Sequence, residues 1–152
     1  MAVTEKVICV VGPTATGKTK MGVALAQRFD GEVVSVDSMQ IYRGMAVGTA
    51  APTPEEMEGV PHHMIGVADP WENWSAARFT AAADACVQDI LRRGRRPILV
   101  GGTGLYLDAL LRGIDFAAGS QDTPLRRQLQ ERMRREGAEA LLEALRRIDP
   151  DS

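Results

Sequence analysis

Residues 7–19 read Val7-Ile-Cys-Val-Val11 followed by Gly12-Pro-Thr-Ala-Thr-Gly-Lys18-Thr19. The five apolar, mostly β-branched residues suit a strand covered on both faces, as in a parallel sheet, and predict the central strand of that sheet. Gly12-Pro13 ends the run, and from Lys18 the pattern turns helical, with Met21, Leu25 and Phe29 on one side and Gly31 as a stop. A strand, a glycine loop and a helix in that order make a phosphate-binding loop. Gly12 and Gly17 permit close backbone approach, Lys18 supplies a cation and Thr19 a hydroxyl for Mg²⁺. The helix N-terminus adds unsatisfied N–H donors and the positive end of its dipole. The predicted diphosphate- or nucleotide-binding set is Gly12, Pro13, Thr14, Ala15, Thr16, Gly17, Lys18 and Thr19, with Thr19 as metal ligand.

Working outward, Glu32-Val-Val-Ser-Val36 reads as a second strand ending at Asp37, and Pro97-Ile-Leu-Val100 as a third ending at Gly101-Gly102. Strands alternating with helices imply a parallel sheet with right-handed crossovers, hence an α/β, P-loop NTPase-like core flanked by helices. Ser75 to Arg93 carries a long helical pattern that starts at a capping residue and closes at Gly94. Met39 to Trp74 is mostly loop, with a helix-start composition at Thr53-Pro-Glu-Glu56; so long an insertion is more often a working surface than filler. Pro124 to Glu136 and Ala138 to Ile148 read as two amphipathic, Arg-rich helices broken at Gly137. The expected division is a core at 1–113 and the start of a helical insertion domain at 114–152. Three strands are thin for such a sheet, which usually has about five. Weaker strands are therefore expected within residues 60–70, or the chain is a fragment.

Composition sets limits on function. The 152 residues, with 45% hydrophobic and 25% charged, suit one ordinary globular domain. Lys+Arg 18 against Asp+Glu 20 gives a net charge of −2, so no basic excess marks a nucleic-acid binder and any polyanion must be held locally. The N-terminal apolar run is too short for a signal peptide or a spanning helix, which predicts a cytoplasmic protein with no membrane partner. Cys9 and Cys86 have neither disulfide-framework nor zinc spacing and read as small buried residues.

The loop alone leaves open whether the phosphate is a spectator, a transferred group or a leaving group. A kinase or NTPase would place an Asp at the end of a hydrophobic strand to hold its metal. The third strand ends in Gly101-Gly-Thr103-Gly104 without an acid, and the acid at a strand end is Asp37. Asp37 lies where ligands collect in open α/β sheets. It suits proton acceptance, metal binding through water, or a turn cap made with its own backbone. Thr103 is likewise open to plain turn chemistry.

Gly12 to Thr19, Asp37-Ser-Met-Gln-Ile-Tyr-Arg-Gly44, Gly48-Thr-Ala with Pro52, Pro61-His-His63 and Leu99-Val-Gly-Gly-Thr-Gly-Leu-Tyr106 together resemble the tRNA dimethylallyltransferases, also called tRNA isopentenyltransferases. The resemblance covers essentially the whole chain. It implies transfer of a dimethylallyl group from dimethylallyl diphosphate to N6 of the adenine just 3′ of a tRNA anticodon, releasing diphosphate. On that reading Lys18, the loop amides and Mg²⁺ stabilise the leaving group, and Asp37 takes the N6 proton; Asp37, Thr19 and Lys18 are the catalytic set. The resemblance also implies tRNA contacts at Asp37, Ser38, Met39, Gln40, Thr103 and Arg126, with the adenine extruded from the anticodon stem-loop. A monomer is expected. Members of the family are generally longer, with a later Arg-bearing motif and C-terminal helices, so the function is expected of a parent enzyme. The alternatives are an adenylate isopentenyltransferase or nucleotide kinase acting on free nucleotides, or an inactive diphosphate- or tRNA-binding fragment.

His62 and His63 are adjacent and in a strand face opposite sides, so a structural or hydrogen-bonding role is expected rather than one shared metal. Trp71 and Trp74 are expected to pack over the loop, with base stacking the alternative. The Arg-rich helices interleave with Glu, consistent with a solvated face or with tRNA contact.

Overall fold

β-branched runs with no polar alternation demand neighbours on both faces, and here they find them in one parallel sheet. β1 (Ile8–Val11), β2 (Gly31–Val36), β3 (His62–His63) and β4 (Arg96–Gly101) lie in the order β1-β4-β2-β3. The computed structural model describes residues 7–113 and 124–150, which fall into two compact units, Met1–Asp115 and Phe116–Ser152.

β2 and β4 hold the middle of the sheet, and every residue of β2 is buried. The expectation that residues 7–11 form the central strand is corrected. β1 pairs with β4 alone among the described residues, is only half-buried, and ends at Val11, 56% exposed. An apolar run reports the layers above and below a strand, not how many strands flank it. The weaker strand sought in residues 60–70 is β3, two residues beside Val33 and Val34.

Alternation along the strands divides the core. Val33, Ile98 and Val100 face helix α1 (Lys18–Arg28), where Val23 and Ala26 meet them; α2 (Pro54–Met57) is a single turn in the segment between β2 and β3. Val34, Val36 and Leu99 face α3 (Ala76–Arg92) and α4 (Gly104–Arg112), where Phe79, Val87, Ile90 and Leu110 close the layer. The Phe79 and Tyr106 rings stack with centroids 4.4 Å apart.

The buried face of α1 also differs from expectation. Gly22, Val23 and Ala26 are buried, whereas Met21 and Phe29 are 55% and 48% exposed. Small residues win because the helix lies close on β4: a Cβ at Gly22 would sit 2.5 Å from Val100 Cγ2. α3 begins as its sequence requires, with the Ser75 side chain accepting the Arg78 N–H at 3.2 Å, and Gly94 follows it at φ +74°.

A buried acid ties the amino ends of the strands together. Glu32, 2% exposed, accepts from Arg93 Nη1 and Nη2, from Arg95 Nη1 at 2.8 Å and meets His63 Nε2 at 2.7 Å. Hydrogen bonds from Arg93, then Arg95 and His63, outweigh burial and hold its carboxyl far below the usual carboxylate range.

In the second unit, α5 (Pro124–Glu136) and α6 (Ala138–Ile148) pack on each other across Gly137, at φ +83°. These bounds match the two helices read from the sequence. Neither has a fully buried residue among those described. No helix of the described residues is long and apolar enough to cross a membrane.

Candidate active site

Parallel pairing sets the site. The register aligns Val11 with Gly101 and Gly101 with Val36, so three chain segments leave the sheet at one level. These are the phosphate loop after β1, the Asp37 turn after β2 and Gly102-Thr103 after β4. Gly101 makes their convergence possible, since a Cβ there would lie 2.1 Å from the Val36 carbonyl oxygen.

A cavity of 300 Å³ opens at this level on the α1 side. Thr14 to Thr19 form one wall, and Asp37, Gln40, Thr49, Ala50 and Pro52 form others. Val33, Ser35, His62 and Val100, which share the α1 face by register, form the floor. Gly17 caps α1 in the left-handed region at φ +80°, a conformation that suits glycine and aims the first helical N–H groups at the loop. The Lys18 ammonium and the Thr16 hydroxyl both donate to the Pro13 carbonyl, the latter at 2.8 Å. Gly12 and Pro13 face a second, more apolar cavity with Val11, Val36, Thr103 and Leu107, so these two stand apart from Thr14 to Thr19.

Asp37 does two things at once. Its Oδ1 accepts the Met39 N–H at 2.8 Å and the Gln40 N–H at 3.3 Å, the turn cap its sequence allows. Its side chain also shares the cavity with Lys18 and Thr19. Ser38 and Thr103 meet through the Ser38 N–H, which donates to Thr103 Oγ1 at 3.2 Å. Met39 is exposed, and the Gln40 amide is turned into the protein. Arg126 lies on α5 in the second unit.

The two histidines face opposite ways, as expected for consecutive strand residues. His63 joins Glu32, while His62 donates from Nδ1 to the Val60 carbonyl at 2.8 Å and faces the cavity. Burial pulls the His62 pKa down, which favours the neutral form of the ring. Trp74 packs against the α3 core beneath the Arg78 guanidinium, 4.4 Å from its ring centre. Trp71, expected to pack, is instead 83% exposed, because the turn carrying it projects from the core.

Sequence reasoning missed Ser35, Thr49, Ala50, Glu56, His62 and Ile65 as cavity residues. One signal was present: Ser35 interrupts a valine run, and a hydroxyl inside a buried strand needs a partner.

Comparison with known proteins bears on this geometry. The IPP transferase family model matches residues 40–152 and the isopentenyl transferase model residues 5–65. The tRNA dimethylallyltransferase of Geobacillus thermodenitrificans is 50% identical over 98% of this chain and 47% of its own length. The tRNA dimethylallyltransferase 1 of Pelobacter propionicus is 54% identical over 95% and 47%. Among solved structures, the full-length tRNA isopentenylpyrophosphate transferase of Bacillus halodurans superposes with TM-score 0.73 at 48% identity, over 97% of this chain and 48% of that one. A eukaryotic dimethylallyltransferase acting on tRNA gives 0.80 at 35% identity, over 97% and 37%. The chain thus spans about half the length of the curated relatives it matches.

Proposed function

The chain belongs to the IPP transferase family, and from that premise we propose that it carries the diphosphate-binding half of a site that moves a dimethylallyl group from dimethylallyl diphosphate to the exocyclic N6 of an adenine in the tRNA anticodon stem-loop. The observation that carries this reading is that Asp37, Lys18 and Thr19 line one cavity at the carboxyl ends of the strands.

The chemistry rests on those groups. The N6 lone pair attacks the allylic carbon while the bond from that carbon to the diphosphate oxygen breaks. Charge grows on the departing diphosphate, where Lys18 and the N–H groups of the loop and of α1 stabilise it. The N6 proton becomes acidic only as the new bond forms, and Asp37 accepts it. The fixed turn around Asp37 Oδ1 keeps the carboxylate oriented before substrate arrives.

Mg²⁺ fits the donor set, since the Thr19 hydroxyl brings an oxygen ligand to the cavity that the phosphate loop lines. Such a partial shell suits a cation that keeps waters and phosphate oxygens. Thr19 would hold it, and it would neutralise leaving-group charge. We read the protein as a cytoplasmic monomer, meeting tRNA where tRNA is used.

The test supplies labelled dimethylallyl diphosphate with an anticodon stem-loop or with free AMP, to this chain and to a chain of full family length. Prenylated stem-loop from the longer chain is the expected product. Label appearing in AMP alone would overturn the reading.

A further inference from the structure

We infer that Gln40 is a positioning residue whose side-chain amide braces one wall of the cavity against β2 and so shapes the transfer site. The inference rests on the proposed function for what the site binds, and on geometry for the brace itself.

Both polar atoms of the amide have partners. Ser35 Oγ donates to Gln40 Oε1 at 2.8 Å, and Gln40 Nε2 donates to the carbonyls of Thr49 and Ala50, both at 3.3 Å. Two carbonyl acceptors require the NH₂ group on that side, so the amide has one orientation. The Gln40 backbone is equally engaged: its N–H donates to Asp37 Oδ1 at 3.3 Å and its carbonyl accepts from Gly66 at 2.9 Å. One residue therefore joins the floor, the Asp37 turn, the 49–50 wall and the 65–66 segment, and each of these lines the cavity or adjoins a residue that does.

The wall needs such a brace. Ala50 sits at φ +50°, a region that costs a residue with a Cβ about 1 kcal/mol or more and persists where neighbours hold it. Its own local bonds are those of a turn: the Thr49 N–H donates to Met45 O at 3.1 Å and the Ala51 N–H to Ala46 O at 3.0 Å. Between these turns and the sheet, Gln40 supplies the long-range tie. Ser35, 3% exposed inside β2, anchors the other end from the cavity floor.

That burial makes the test decisive. Gln40→Leu removes every side-chain bond, Ser35→Ala removes the anchor, and the double variant reports their coupling. Hydrogen exchange at the amides of Thr49 and Ala51 should speed up about tenfold in Gln40→Leu, the effect of losing one to two kcal/mol of local restraint. Ser35→Ala should move the same amides in the same direction, with the double variant no worse than Gln40→Leu. Affinity for inorganic diphosphate with Mg²⁺ should stay within about twofold, because the loop is untouched, while affinity for dimethylallyl diphosphate falls about tenfold. Unchanged exchange in both single variants would overturn the inference. So would a Gln40→Leu defect confined to stem-loop binding and absent from Ser35→Ala. If the unmodified chain bound no diphosphate, the proposed function would fail while the exchange result still judged the brace.

Discussion

Thr103 Oγ1 accepts the backbone N–H of Ser38 at 3.2 Å, across 65 positions of sequence. The Thr103 N–H in turn donates to the Val36 carbonyl at 3.3 Å. Two bonds thus clamp the start of α4 to the turn bearing Asp37. Thr103→Val keeps shape but loses the acceptor, and should lower stability by about 1 kcal/mol in urea unfolding. Thr103→Ser should stay near the parent value. Equal losses in both variants would mean the methyl group, not the hydroxyl, matters.

Gly101 holds β4 against β2 where a side chain has no space. Gly101→Ala should cost about 2 kcal/mol or more, because backbone rather than a mobile side chain must yield. Gly104, with nothing within 4 Å of its would-be Cβ and a place in the first turn of α4, is the contrast. Gly104→Ala should be neutral or stabilising by up to about 1 kcal/mol. Thermal melts of the pair settle the matter.

Glu32 predicts a pH dependence. Its folded pKa is depressed, so its contribution is fully present above the unfolded value of about 4.3 and is lost as pH falls through the folded value. Stability should therefore drop on acidification below about pH 4.3, and Glu32→Gln should flatten that slope while costing about 2–3 kcal/mol at neutral pH. Arg93 and Arg95 are partly exposed and regain water when their partner goes, which keeps the cost at that level.

Lys18 and Asp37 separate binding from chemistry. Lys18→Ala should weaken inorganic diphosphate binding by about 30-fold or more, measured calorimetrically. Asp37→Asn keeps an oxygen able to accept the Met39 and Gln40 N–H groups, so the turn survives. In a chain of full family length it should bind diphosphate normally and lose about 10² to 10⁴ in kcat. Normal turnover would remove Asp37 from proton transfer.

Residues 7–19 announced the loop because its glycines, cation and hydroxyl each answer a local need. The α5 and α6 boundaries were equally legible, being set by Gly137 and by helical periodicity. The place of β1 in the sheet was not, since strand order is a property of pairing partners far away in sequence. α4 escaped notice because Gly101-Gly-Thr-Gly104 reads as loop and the helix beginning there is short and apolar on most sides. The inward turn of the Gln40 amide was also hidden. Its partners are a buried hydroxyl and two main-chain carbonyls, and carbonyls leave no trace in side-chain identity.

Alternation along β2 has one more outcome. Glu32 and His63 lie on the α3 side of the sheet, whereas Val33, Ser35 and His62 floor the cavity on the α1 side. The sheet acts as a bulkhead between an ionic clasp and a reaction chamber. A change in the clasp, such as Glu32→Gln, is therefore felt on one side of the partition, with the lining of the chamber on the other.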